Sequence, residues 1–195
     1  MTAADQAIEV LPRAERALGP TVALTTIRVQ ALARLGTDQA GKQIRDIAAA
    51  VPSLPEAEQP DLIRELAKVF LGLGGGRRSM LLMADLAERR PKDLQIQLET
   101  LDLATLLGDL GPVPGIVARL RDLEGERGAT WRYADAVYRL GQARSGDSKA
   151  SLLARRRITE IEELQPQWWA ASLLRGNLAE SENRLEDAVK GCSEN

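Results

Sequence analysis

A chain of 195 residues that is 44% hydrophobic but only 3% aromatic can bury a sizeable core, and it builds that core from Ala and Leu, which with Glu, Arg and Gln are strong helix formers. Its net charge of −2, from 26 basic and 28 acidic side chains, excludes a global field that would hold nucleic acid or an anionic membrane. The absence of histidine removes the commonest general base and metal ligand, and the single cysteine, Cys192, excludes an intrachain disulfide framework and a cysteine-based zinc cluster.

The first twenty residues, "MTAADQAIEVLPRAERALGP", have no basic segment followed by an apolar core, so they do not read as a signal peptide. No apolar run approaches the ~18–20 residues that span a bilayer. The expectation is a soluble, cytoplasmic chain without membrane insertion. Within it, a helix is expected over 3–18 and another over 20–35, where Val22, Leu24, Ile27, Ala31, Leu32 and Leu35 form a broad apolar face. "GTD" ends that helix, and the next runs from Asp38 to Val51 before the prolines of "VPSLPEAEQP".

Helices follow over 56–72 and 77–90, then 92–107 and 114–124, then 127–144 and 147–164, and finally 167–181 and 184–191. No period-2 run interrupts them, so the expected class is all-α. Each pair reads as an αα-hairpin. The breaks inside the pairs carry Gly36, Gly74, Gly108 and Gly146, at intervals of 38, 34 and 38 residues. A supersecondary unit recurring at that interval is the signature of a helical solenoid, in which each hairpin buries its apolar face against its neighbours. Approximate hairpins are 20–52, 56–91, 92–125, 127–166 and 167–193, with 1–19 as the second helix of a preceding repeat, all in one repeat domain. Both ends read as truncated, which suggests a piece of a longer protein.

One copy carries a specific motif. In "QPQWWAASLLRGNLAESENRLEDAVK", Trp169, Leu174, Gly176, Asn177 and Ala179 occupy a first helix, and Ala188 opens a second with a small residue. One unit upstream, Trp131 and Tyr138 stand seven apart, with Ala154 and Pro166 on the second helix. Leu66, Ala67 and Phe70, then Ser79, Met83 and Pro91, repeat the pattern in 56–91. This resembles the tetratricopeptide repeat family, whose consensus has an aromatic, Leu-Gly and a second aromatic on the first helix and small residues with a closing proline on the second. Asp135 departs from it by replacing the glycine, and the interval from Tyr138 to Ala154 is about two helical turns too long. Residues 20–52 and 92–124 keep only the period. Armadillo-like arrays share these features.

The resemblance implies a right-handed α-solenoid of about five antiparallel hairpins, whose concave face, lined by first helices, binds an extended peptide or partner helix. By position, Gln95, Leu98 and Asp102 would face inward from one helix, Arg132, Ala136 and Arg139 from the next, and Leu173, Asn177 and Glu180 from the last. Asn177 matches a family asparagine that bonds a peptide backbone. The lysines of the carboxylate-clamp subset have no counterparts.

Chemical readings fare less well. In "FLGLGGGRRSM", residues 70–80, the window from Gly72 puts arginines where a phosphate loop needs Gly and Lys, and a helix precedes it where a strand belongs. Helix-ending glycines are the better reading, with Arg77 and Arg78 solvated. Arg155, Arg156 and Arg157 point in three directions and are followed by Glu160, Glu162 and Glu163, as on a charged outer face. Trp131, Trp168 and Trp169 read as wedges between hairpins, with Trp168 the best candidate for stacking on a ligand. Carboxylates such as Glu162 and Glu163 lack pocket chemistry. The expectation is a scaffold that is no enzyme and needs no cofactor or metal, with self-association through repeat ends as the alternative and nucleotide binding behind both.

Overall fold

The computed structural model of this chain describes residues 2–19 and 21–182. The expected helix over 184–191, with Ala188, and Cys192 lie outside the described residues. Ten α-helices occur within them: α1 (Ala3–Leu18), α2 (Val22–Leu35), α3 (Asp38–Ala50), α4 (Gln59–Gly72), α5 (Gly76–Arg89), α6 (Leu94–Leu107), α7 (Val113–Glu124), α8 (Thr130–Arg144), α9 (Ser148–Leu164) and α10 (Trp169–Ser181). A 3₁₀ turn, Val51–Ser53, follows α3, and the described residues contain no strand.

Local chemistry sets the ends. Threonine opens α1, α2 and α3, where Thr2, Thr21 and Thr37 accept from the backbone N–H of Asp5, Leu24 and Ala40, and aspartate does the same for α6 and α9 through Asp93 and Asp147. All four glycines of the repeat interval adopt the left-handed region, Gly36 at φ 61°, Gly74 at 78°, Gly108 at 67° and Gly146 at 98°. Other residues enter that region only at a cost. Where α4 was expected from residue 56, it begins at Gln59 because Pro55 and Glu58 close a turn first and the Gln59 side chain donates to the Leu54 carbonyl. The expected start at 127 moves to Thr130 for a related reason. Glu124, ending α7, accepts from the N–H groups of Thr130 and Trp131 and so caps α8 from the preceding helix.

The chain divides within α5 into two units, 1–86 and 87–195. In the first, α2 packs on α1, α3 and α4, and α3 on α4. Its core holds Leu11, Val29, Leu32, Ile44, Leu62, Ile63, Leu66 and Phe70, closed by Met80, Met83 and Leu86. Fully burying one such side chain contributes about 1.5–3 kcal/mol. The buried Ser79 hydroxyl donates to the Ala67 carbonyl at 2.8 Å, joining α5 to α4.

In the second unit α6 packs on α7, α7 on α8, α8 on α9, and α10 on both α8 and α9. Each unit thus pairs a helix with the next and the next but one, α2 with α4 and α8 with α10. Small residues permit the close contacts: Ala134 and Ala136 of α8 and Ala154 of α9 are fully buried. One polar side chain sits at the centre. Gln97, also fully buried, donates to the carbonyls of Ala87 and Arg90 near the end of α5 and accepts from Arg119 of α7. Orphaned carbonyls at a helix end need such a donor.

Replacing Gly36 or Gly108 by Ala is expected to lower the unfolding free energy by about 1–2 kcal/mol each, whereas Gly72→Ala, in the last turn of α4 with open space within 4 Å of the added carbon, should be neutral or stabilising. Gln97→Leu should cost about 1–3 kcal/mol by stranding its partners. Urea denaturation of the variants checks all four values.

Candidate functional site

Three alternate helices of the second unit, α6, α8 and α10, surround a cavity of about 320 Å³. Its apolar lining comes from Leu110 after α6, Val137 and Leu140 of α8, and Leu173 and Leu174 of α10; Thr105, Tyr133, Arg144, Ser145 and Asn177 supply polar groups. Such a mix, apolar walls with a few polar groups, suits a ligand side chain. Gly141 shapes one wall. A carbon added there would collide with the Leu110 Cδ1, so the glycine lets the loop after α6 settle onto α8.

Tyr133 stands at one end, its ring 5.4 Å from that of Trp168 and tilted by 46°. Burial, and next the Asp102 carboxylate, push its hydroxyl above the usual tyrosine range. Asp102 keeps an exposed edge, yet desolvation first and Glu99 second push its carboxyl up. Asp102 lies three residues from the lining residue Thr105, and so on the same stripe of α6. At the other end Arg144 and Glu180 face each other across 3.8 Å, both well exposed.

The opposite side of α8 is built for structure. Trp131 is buried, donates its indole N–H to the Gly125 carbonyl, and is covered by the guanidinium groups of Arg132, Arg157 and Arg121 at 4.3, 4.9 and 5.2 Å. The buried Asp135 accepts from Arg139 on its own helix and from Arg157 of α9 at 2.7 Å. Glu160 of α9 accepts from Arg132, Arg156 and Arg157. Burial alone would raise the Glu160 carboxyl, but the hydrogen bonds from Arg157 and Arg156, the charge of Arg157 and the bond from Arg132 together hold it below the usual range.

Of the residues placed inward by position, Leu173 and Asn177 line the cavity, Glu180 pairs with the lining Arg144, and Asp102 lies near enough to Tyr133 for its charge to act on the phenol. Leu98 and Gln95 share the Asp102 stripe one and two turns back along α6, Gln95 donating to Glu99. Ala136 is fully buried, while Arg132 and Arg139 are engaged in ion pairs and stack on Trp131 and Tyr138. The cavity-facing stripe of α8 is instead Tyr133, Val137, Leu140 and Arg144, one position further round. The spacing 4, 3, 4 of those four was available in the sequence, and so was Gly141, a glycine inside a helix that marks a close approach.

Other motifs resolve into packing. In the stretch 70–80, Gly74 supplies the left-handed turn, Gly75 passes so near the Phe70 carbonyl that an added carbon would stand 3.1 Å from it, and Arg78 lies over the Phe70 ring. Arg155, Arg156 and Arg157 each meet a carboxylate, of Glu182, Glu160 and Asp135. Glu162 pairs with Arg175. Trp168 is half-buried against Tyr133, so the open indole is that of Trp169, 60% exposed. Among the described residues no acidic or cysteine cluster is placed to hold a metal ion, and no helix is long and apolar enough to cross a membrane. No protein-family model, curated protein or solved structure matches the chain.

A carboxylate whose folded pKa is depressed stabilises the fold above its unfolded value, and that contribution is lost as pH falls through the folded one. Stability should therefore drop as pH is lowered from about 6 to about 3, and Glu160→Gln should flatten part of that slope while lowering stability at neutral pH. Thermal unfolding across the pH series measures both.

Proposed function

We propose that the chain is a non-catalytic protein-interaction scaffold whose helices are hairpins of the tetratricopeptide repeat type, arranged in the second unit with the right-handed turn of that family. The binding face is that of α6, α8 and α10, and its occupant is a peptide or a segment of a partner protein. The observation that carries this reading is the cavity between alternate helices, with an apolar floor and Asn177 at its edge. An inserted apolar side chain would be gripped by Leu173, Leu174 and Val137, and the Asn177 amide can bond a backbone in either direction because it both donates and accepts. Further support is the residue pattern around Trp169, Leu174, Gly176 and Asn177.

A second reading has its own observation. Leu152 on α9 and Trp169 on α10 are 69% and 60% exposed, apolar surface of the kind that self-association covers. On that reading the chain is an oligomerisation spacer, and light scattering should give a mass that rises with concentration.

Panning a random peptide library on the chain tests the first reading. Enriched peptides should bind at least about tenfold more weakly to Leu173→Asp, which places a charge at the cavity, and measurably less to Asn177→Ala, with circular dichroism unchanged. Peptides that bind all three proteins equally would contradict it.

A further inference from the structure

The charges around the cavity are not balanced. Arg144 and Glu180 answer one another at one end, and around α8 and α9 every carboxylate of the ladder has its guanidinium. Asp102 differs. Among the described residues its side chain has no ion pair or hydrogen bond, its charged neighbour on the helix is Glu99, and it lies exposed on the α6 stripe of the lining residue Thr105, near enough to Tyr133 for its charge to act on the phenol. Desolvation, and next the charge of Glu99, make an ionised carboxylate there less comfortable.

Resting on the proposed binding face, we propose that the segment held there carries an apolar side chain beside a basic one, the apolar group filling the cavity and the Lys or Arg meeting Asp102. An aliphatic or aromatic residue would lie against Val137, Leu173 and Leu174. From there a lysine or arginine a few residues along the segment reaches the Tyr133 end. The basic group supplies the cation that Asp102 lacks, and it relieves the cost of holding that carboxylate ionised above its raised pKa. An acidic segment would instead meet Asp102 and Glu99 with like charge.

Two displayed peptide pools separate the possibilities, both of random peptides about 12 residues long (about three turns if helical), one drawing on Leu, Ile, Phe, Lys and Arg with Gly and Ser, the other replacing Lys and Arg by Asp and Glu. Panned on the full chain, the basic pool should enrich, and its clones should lose affinity about tenfold on Asp102→Lys, less on Asp102→Asn, and again on Leu173→Asp. Asp102 is exposed at its edge, so both variants should fold, which circular dichroism verifies. Enrichment of the acidic pool, or basic clones that bind Asp102→Lys undiminished, would overturn the inference while leaving the binding face standing if Leu173→Asp still blocks them. Enrichment of neither pool would overturn both, as would a self-association that Leu173→Asp abolishes.

Discussion

The rotation of α8 about its own axis is the constraint on which the second unit's surface depends. Four neighbouring contacts compete for it: α7, α9 and α10 pack against the helix, and the loop after α6 presses Leu110 onto Gly141. The competition is decided by the ladder of Asp135, Arg157, Glu160 and Arg132. Asp135 is buried and accepts from both sides, so turning α8 would leave a carboxylate unsatisfied, at a cost larger than that of moving an apolar contact. Trp131, clamped beneath three guanidinium groups, pins the start of the same helix. With that side fixed toward α9, Tyr133, Val137 and Leu140 are left facing α10 and the cavity.

This division of labour commits many charged side chains to ion pairs within the fold. The arginine run at 155–157 is spent on Glu182, Glu160 and Asp135, and Arg132 and Arg139 hold the ladder together. Such pairs are weak evidence for stability, because desolvation offsets the attraction, yet breaking one by removing a single partner of the buried Asp135 leaves an uncompensated charge. The polar groups near the cavity that stand outside this ladder are few and differ in character, namely Asp102, Asn177 and the loosely paired Arg144 and Glu180.

Helix spans were legible in the chain because their causes are local. A threonine or aspartate cap and a glycine of positive φ act within a few residues, so Gly36, Gly74, Gly108 and Gly146 marked breaks between helices. On α10, Leu173 and Asn177, placed inward by position, line the cavity. The facing of α8 was not legible. Trp131, Ala134, Ala136, Val137 and Leu140 are apolar nearly all round that helix, as expected where several neighbours surround it, so periodicity names no single face. What selects the face is Arg157 and Glu160, more than twenty residues away in sequence. The adjacent tryptophans posed the same difficulty, and the Tyr133 ring across the unit decided that Trp168 packs while Trp169 stays open.

The facing of α8 is therefore the claim most worth measuring in solution, by nuclear Overhauser contacts on isotopically labelled protein. Contacts are expected between the Tyr133 ring and the Trp168 indole, and between the Val137 methyls and those of Leu173 or Leu174. Contacts from the Ala136 methyl or the Arg132 side chain to α10, with Tyr133 and Val137 turned toward α9, would contradict it.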